Sequence, residues 1–146
     1  MTSDRLKRIV RVRRLMESSR AAELGASRSR LAGARRELDE AGRRIDDHDR
    51  TVDELDLDPT LQEAARRYRN KLSRGRAERA ASVETHRDRV AEGQRVVTRA
   101  HQDRRLMEKL HDRVRARELQ TLAEGEAKTQ DAIALSSHAR NGGSGR

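Results

Sequence analysis

Leu24, Leu31, Leu38, Ile45 and Val52 stand seven residues apart in a background of Arg, Asp, Glu, Ala, Ser and Gly. On a helix, a strict seven-residue apolar repeat draws a narrow stripe along one side. Such a stripe seats one partner helix and cannot line a globular core. Ahead of the ladder, Leu6, Ile9, Val10 and Met16 recur at helical spacing. Thr2 or Ser3 can cap that start, with Asp4 in the first turn. The seam weakens near Ser18 to Ala22 and shifts phase there before resuming at Leu24. The pattern predicts a first coiled-coil helix over residues 3–52.

Residues 46–58 gather seven acidic side chains in a basic chain, and Asp58-Pro59 holds the single proline. Asp58 is a good N-cap, and Pro59 suits a first helical position, where a missing N–H does no harm. Thr60 and Glu63 offer an overlapping capping box. An acidic turn is therefore predicted at 53–60, followed by a second coiled-coil helix over 61–138. In that helix Leu61, Ala65, Tyr68 and Leu72 alternate by three and four. Val83, Val90 and Val97 repeat by seven, as do Ala100, Met107 and Val114. The eleven residues from Leu72 to Val83 read as one stutter. Leu119, Leu122 and Ile133 continue a looser stripe, and the Gly- and Ser-rich end, 139–146, reads as a flexible tail.

Folding the chain at 53–60 brings the two stripes together in one antiparallel register. Val52 then faces Leu61, Ile45 faces Tyr68, Ala41 faces Leu72, Leu31 faces Val83 and Leu24 faces Val90. Met16 faces Val97 and Leu6 faces Met107, while Leu38 meets the weak layer of Gly75 and Arg76. The expected fold class is all-α, a long antiparallel two-helix coiled-coil hairpin whose second helix is the longer. Ser3 would face Leu110, so the second helix is expected to overhang from about residue 111, by about 40 Å. A single exposed amphipathic helix of that kind is a docking element. Tyr68, the sole aromatic, reads as a seam residue opposite Ile45 or as an exposed anchor near the turn.

Composition narrows the class. Hydrophobic residues make up 33% of the 146 and charged residues 40%, so a thick core is not expected. The periodicity and the many good helix formers argue against disorder. The chain has no cysteine, which excludes disulfides and thiolate metal sites. No apolar run approaches a membrane span, and no signal peptide is visible, so the expected location is cytoplasmic. His48, His86, His101, His111 and His138 show no ligand spacing, and no phosphate-binding glycine loop occurs. No catalytic residue, metal site or cofactor is expected, and the protein is read as not an enzyme.

The net charge of +9 raises nucleic acid as a partner. Residues 1–30 carry nine basic and three acidic side chains, and residues 61–105 carry thirteen and six. The signs are interspersed as on a solvated coiled-coil face, and no aromatic platform is present. Specific nucleic-acid binding is therefore not expected. With Leu6, Ile9, Val10 and Met16 turned inward, the basic N-terminal helix lacks the bulky anchors of a membrane-surface helix, and no direct membrane insertion is expected.

The run RLKRIVRVRRLME from Arg5 to Glu17 resembles the opening of the FliJ family of flagellar type III export proteins. So do RLMEKLHDR from Arg105 to Arg113, EGEAKTQDAIA from Glu124 to Ala134, and Arg140. The chain departs from the family at Ala132, where Glu is usual after Asp131, and in its near lack of aromatics. The resemblance implies a non-enzymatic, gamma-subunit-like stalk of the bacterial flagellar protein export apparatus; injectisome stalks are close homologues. It implies three partners: a hexameric export ATPase, the export gate membrane protein and export chaperones that the stalk would escort. The location would be cytoplasmic, peripheral at the cytoplasmic face of the cell membrane. By family geometry the ATPase end would be Ile9, Arg13, Arg113, Leu119, Glu126, Lys128 and Asp131. Leu55, Tyr68 and Leu72 near the turn would face the gate. The residues alone leave open a basic coiled-coil protein associated with nucleic acid, or a structural adaptor.

Overall fold

A computed structural model describes residues 1–142. Helix α1 spans Ser3–Glu54 and helix α2 spans Pro59–Gly142, packed against each other as an antiparallel hairpin with α2 the longer. No strand occurs among the described residues. The expected tail at 139–146 falls partly on α2, which runs to Gly142, and partly outside the described residues.

Both helix starts follow from local chemistry. The Arg5 N–H donates to the Thr2 hydroxyl at 3.4 Å, and the Leu6 N–H donates to the Thr2 carbonyl at 3.1 Å. Thr2 is therefore the cap of α1, and Ser3 is its first residue. At α2 the Leu61 N–H donates to the Asp58 carboxylate at 2.9 Å, and the Gln62 N–H donates to the Asp58 carbonyl at 2.9 Å. Pro59 opens the helix, where its missing N–H is an orphan position anyway. The Gln62 side chain also donates to the Leu57 carbonyl at 3.0 Å, which ties the turn to the helix it starts.

The chain divides into two units. One consists of Glu17–Ala100 and the other of Met1–Met16 with the chain from His101 onward. In the first, Leu24, Leu31, Ala34, Ala41, Ile45 and Val83 are buried. Leu31, Ala34 and Val83 form a cluster against which Leu38 and Val90 pack. In the second, Leu6 is fully buried and Val10 nearly so. Met107, His111, Val114 and Glu118 are half-buried.

The register differs from the sequence expectation. Leu24 packs on Gly93 rather than Val90: a Cβ added to Gly93 would lie 3.2 Å from Leu24 Cδ1. Tyr68 meets His48 rather than Ile45, and Ser3 meets Glu118 rather than Leu110. Leu61 does not face Val52; it sits in the cap turn, 52% exposed. The displacement is about one helical turn within Glu17–Ala100 and larger at Ser3. Its physical cause is that a heptad carries two inward positions. Sliding by three or four residues exchanges them and still sets apolar against apolar. Leu31 and Val83 still share one cluster, now with Ala34, which the shifted register sets opposite Val83.

Two further features of the seam differ. The phase of α1 does not shift: counting back by sevens from Leu24 gives Glu17, Val10 and Ser3, all buried or half-buried. Met16, expected inward, is 45% exposed. On α2 the stretch from Leu72 to Val83 is filled by Ser73, Gly75, Arg79 and Ala80, each half-buried. The Arg79 guanidinium folds back and donates to the Gly75 carbonyl at 3.1 Å, so the missing apolar layer is filled by an arginine stem. The wholly exposed part of α2 begins at Leu119, against the expected 111.

Candidate interaction surfaces

In the unit of Met1–Met16 and the chain from His101, the helices are joined largely by polar groups. The seven-residue series Val83, Val90, Val97 continues as Arg104, His111 and Glu118. Glu118 reaches across to the start of α1 and accepts from both the Ser3 backbone N–H, at 2.9 Å, and the Ser3 hydroxyl. One carboxylate thus satisfies an orphan donor at a helix N-terminus, where negative charge is favoured. These bonds hold the Glu118 carboxyl below its usual range, aided by the terminal amine and His111.

Glu108 is the second junction. It accepts from Arg14 on α1 at 2.8 Å and from Arg104 on its own helix at 2.8 Å. The Arg14 bond first, then the Arg104 bond, lowers its pKa. Arg13 lies 3.6 Å from Asp103, and the His111 ring nitrogen lies 3.0 Å from Asp112. Sequence reading missed Glu108, Arg104 and Glu118 as seam residues because none is apolar. For Arg104 and Glu118 the seven-residue spacing from Val83 was the available signal, whereas Glu108 lies outside that series.

The residues expected to meet a partner at this end fall into two sets. Ile9 and Arg13 are half-buried and line a shallow groove with Arg5, Arg8, Val12 and Met16. Arg113, Leu119, Glu126, Lys128 and Asp131 are exposed on α2. Four of these lie on the uncovered stretch from Leu119 to Gly142, a helix of about 36 Å. There Leu119, Leu122 and Ile133 are 57%, 63% and 62% exposed.

In the unit of Glu17–Ala100 the turn gathers the other expected residues. Leu55 is exposed, and its N–H donates to the Val52 carbonyl at 3.3 Å as α1 ends. Tyr68 is 53% exposed, its ring centroid 5.3 Å from that of His48. Leu72 is half-buried in the seam. Beside the rings, Arg69 donates to the Asp49 carboxylate at 2.8 Å and holds it below its usual pKa. Tyr68 therefore has one ring edge braced and the rest open, a different role from the seam position opposite Ile45.

No group of three or more His, Cys, Asp or Glu side chains able to hold a metal occurs among the described residues. No helix there is long and apolar enough to cross a membrane.

No curated protein and no solved structure matches the chain. A family model does: the model of the flagellar FliJ protein matches residues 2–143 of the 146. With nearly the whole chain covered, and with a two-helix hairpin of unequal arms behind it, the protein belongs to the FliJ family, whose members are components of the flagellar export apparatus.

Proposed function

We propose that the protein is a non-enzymatic stalk that couples the hexameric export ATPase to the membrane-embedded export gate, and that it escorts empty export chaperones. The observation that carries this reading is the inequality of the arms. Helix α2 spans 84 residues against 52 for α1, and the surplus leaves Leu119, Leu122 and Ile133 exposed on a stretch of helix with no partner among the described residues. An exposed amphipathic helix offers anchors at i, i+3 and i+7 spacing to a groove in another protein. On this reading Ile9, Arg13, Arg113, Leu119, Glu126, Lys128 and Asp131 contact the ATPase, and Leu55, Tyr68 and Leu72 contact the gate. The protein would then work in the cytoplasm, at the inner face of the cell membrane.

The test is ATP turnover by the purified export ATPase with and without the protein. Stimulation and hexamer assembly at one stalk per ring are expected. The double variant Leu119→Ser, Leu122→Ser should abolish both while leaving helicity near native, since both side chains are largely exposed. Unchanged turnover and assembly at stoichiometric excess of the native protein would remove the proposal.

A further inference from the structure

The first sixteen residues contain six basic side chains and one acid, Asp4. Leu6 and Val10 point into the seam. Three acids of α2 are spent on the seam side, Asp103 at Arg13, Glu108 at Arg14 and Glu118 at Ser3. Arg5, Arg8 and Arg11 are exposed and make no ion pair among the described residues. Between them stand Val12, Leu15 and Met16, exposed by 54%, 66% and 45%.

At 100° per residue, Arg11, Asp4, Leu15, Arg8, Val12, Arg5 and Met16 follow one another around the helix over about 140°, with exposed Asp4 near one edge at the N-terminal turn. Asp4 apart, apolar and arginine positions alternate across this face. A partner helix would be met by a narrow stripe with charges at its edges. A broad face of interleaved arginine and aliphatic side chains matches a bilayer interface instead. There the aliphatic groups enter the acyl boundary while the arginine stems lie along it and lift their guanidinium groups to lipid phosphates.

We propose that this outer face of α1, built from Arg5, Arg8, Arg11, Val12, Leu15 and Met16, binds the surface of an anionic phospholipid bilayer, lying on it without crossing. The sequence reading set a membrane role aside for want of bulky anchors, with Met16 counted as inward. The fold turns it out and adds Leu15 and Val12 beside it. The face is not used by the seam, and it adjoins Ile9 and Arg13, which the stalk reading gives to the ATPase.

The experiment is flotation of the full chain with vesicles of phosphatidylcholine alone, or of phosphatidylcholine and phosphatidylglycerol in equal parts. No ATPase is present, so the result leaves the proposed function untouched. The protein should float with the anionic vesicles only. Arg5→Gln, Arg8→Gln, Arg11→Gln should weaken binding about a hundredfold, each cation near an anionic surface contributing about a factor of five. Val12→Ser, Leu15→Ser, Met16→Ser should also release the protein, with helicity by circular dichroism unchanged. A control, Arg28→Gln, Arg30→Gln, Arg36→Gln, removes the same charge from another exposed stretch and should leave binding near native. No flotation with anionic vesicles would overturn the proposal. So would equal loss in the control, or binding indifferent to the three serines, which would mark diffuse basicity. Protection of this face only when a protein partner is added would assign it to that partner.

Discussion

The two units solve the same packing problem with different materials. Within Glu17–Ala100 the seam is aliphatic: Leu24, Leu31, Ala34, Ala41, Ile45 and Val83 are buried, and the ion pairs across it are peripheral. Within the other unit two aliphatic residues of α1, Leu6 and Val10, are buried against an α2 face that places Arg104, His111 and Glu118 at every seventh position. The aliphatic seam draws its stability from area removed from water and is indifferent to pH and salt. The polar seam rests on charge-assisted hydrogen bonds, whose net contribution near solvent is small, and on their geometry, which fixes which turn meets which. The difference separates a part that is held together from a part that is held in register. It also makes the second unit the one expected to open first.

The sharpest test of the aliphatic seam is covalent. The chain has no native cysteine among its described residues. A Cβ at Gly93 would lie 3.8 Å from that of Leu24, within disulfide range. Leu24→Cys with Gly93→Cys should oxidise within one chain and stabilise it against denaturant by about 4 kcal/mol for so long a loop. Leu24→Cys with Val90→Cys, the pairing expected from sequence, should cross-link poorly. The reverse result in non-reducing gels would restore the sequence register.

Truncation compares the units directly. Leu31→Ala, in the cluster with Ala34 and Val83, should lower the unfolding free energy by about 2–4 kcal/mol. Leu6→Ala removes the one fully buried side chain of the other unit. By hydrogen exchange it should expose residues 3–16 while residues 24–52 keep their protection. Uniform loss along α1 would show that the two units open together.

A smaller effect distinguishes tight from open packing. Around a Cβ placed on Gly33 there is nothing within 4 Å, so Gly33→Ala should stabilise by about 0.5–1 kcal/mol through helix propensity. Gly93→Ala meets Leu24 at 3.2 Å and should gain less or lose. Thermal melts of the two variants side by side measure the difference.

The last test uses pH. Glu108 and Glu118 are held below the usual glutamate value of 4.5, Glu108 chiefly by Arg14 and Glu118 chiefly by Ser3. A carboxyl with a lowered folded-state pKa stabilises the native state above its unfolded value and loses that contribution as pH falls through the lowered one. Protection factors of the amides at residues 3–16, corrected for the intrinsic slowing of exchange in acid, should therefore fall below pH 4.5, ahead of those of Leu31 to Ile45. Glu118→Gln should weaken that dependence, because the amide keeps the hydrogen-bond shape without the charge.

Much of the fold was legible in the sequence. The seven-residue ladder from Leu24 to Val52, the Asp58-Pro59 start of α2 and the longer second arm all stand in the structure. These are local or periodic facts, and a narrow apolar stripe admits few partners. The surfaces were legible only in part. Leu119 and Leu55 are exposed, Ile9 is half-buried beside Val12 and Met16, and their contact with partners stands as a proposal. The polar residues that join the helices, Glu108 and Glu118, were invisible to a search for apolar spacing.

The sequence by itself determined the element types, the turn and the antiparallel pairing, because helix propensity, capping and heptad period are properties of neighbouring residues. The tertiary structure alone decided the register, the inward place of Glu118 and the outward turn of Leu15 and Met16. A heptad repeat looks the same after a slide of one turn, so apolar pattern cannot choose between the alternatives. The choice falls to non-periodic details, the smallness of Gly93 under Leu24 and the reach of Glu118 to Ser3, which act only once both helices are side by side.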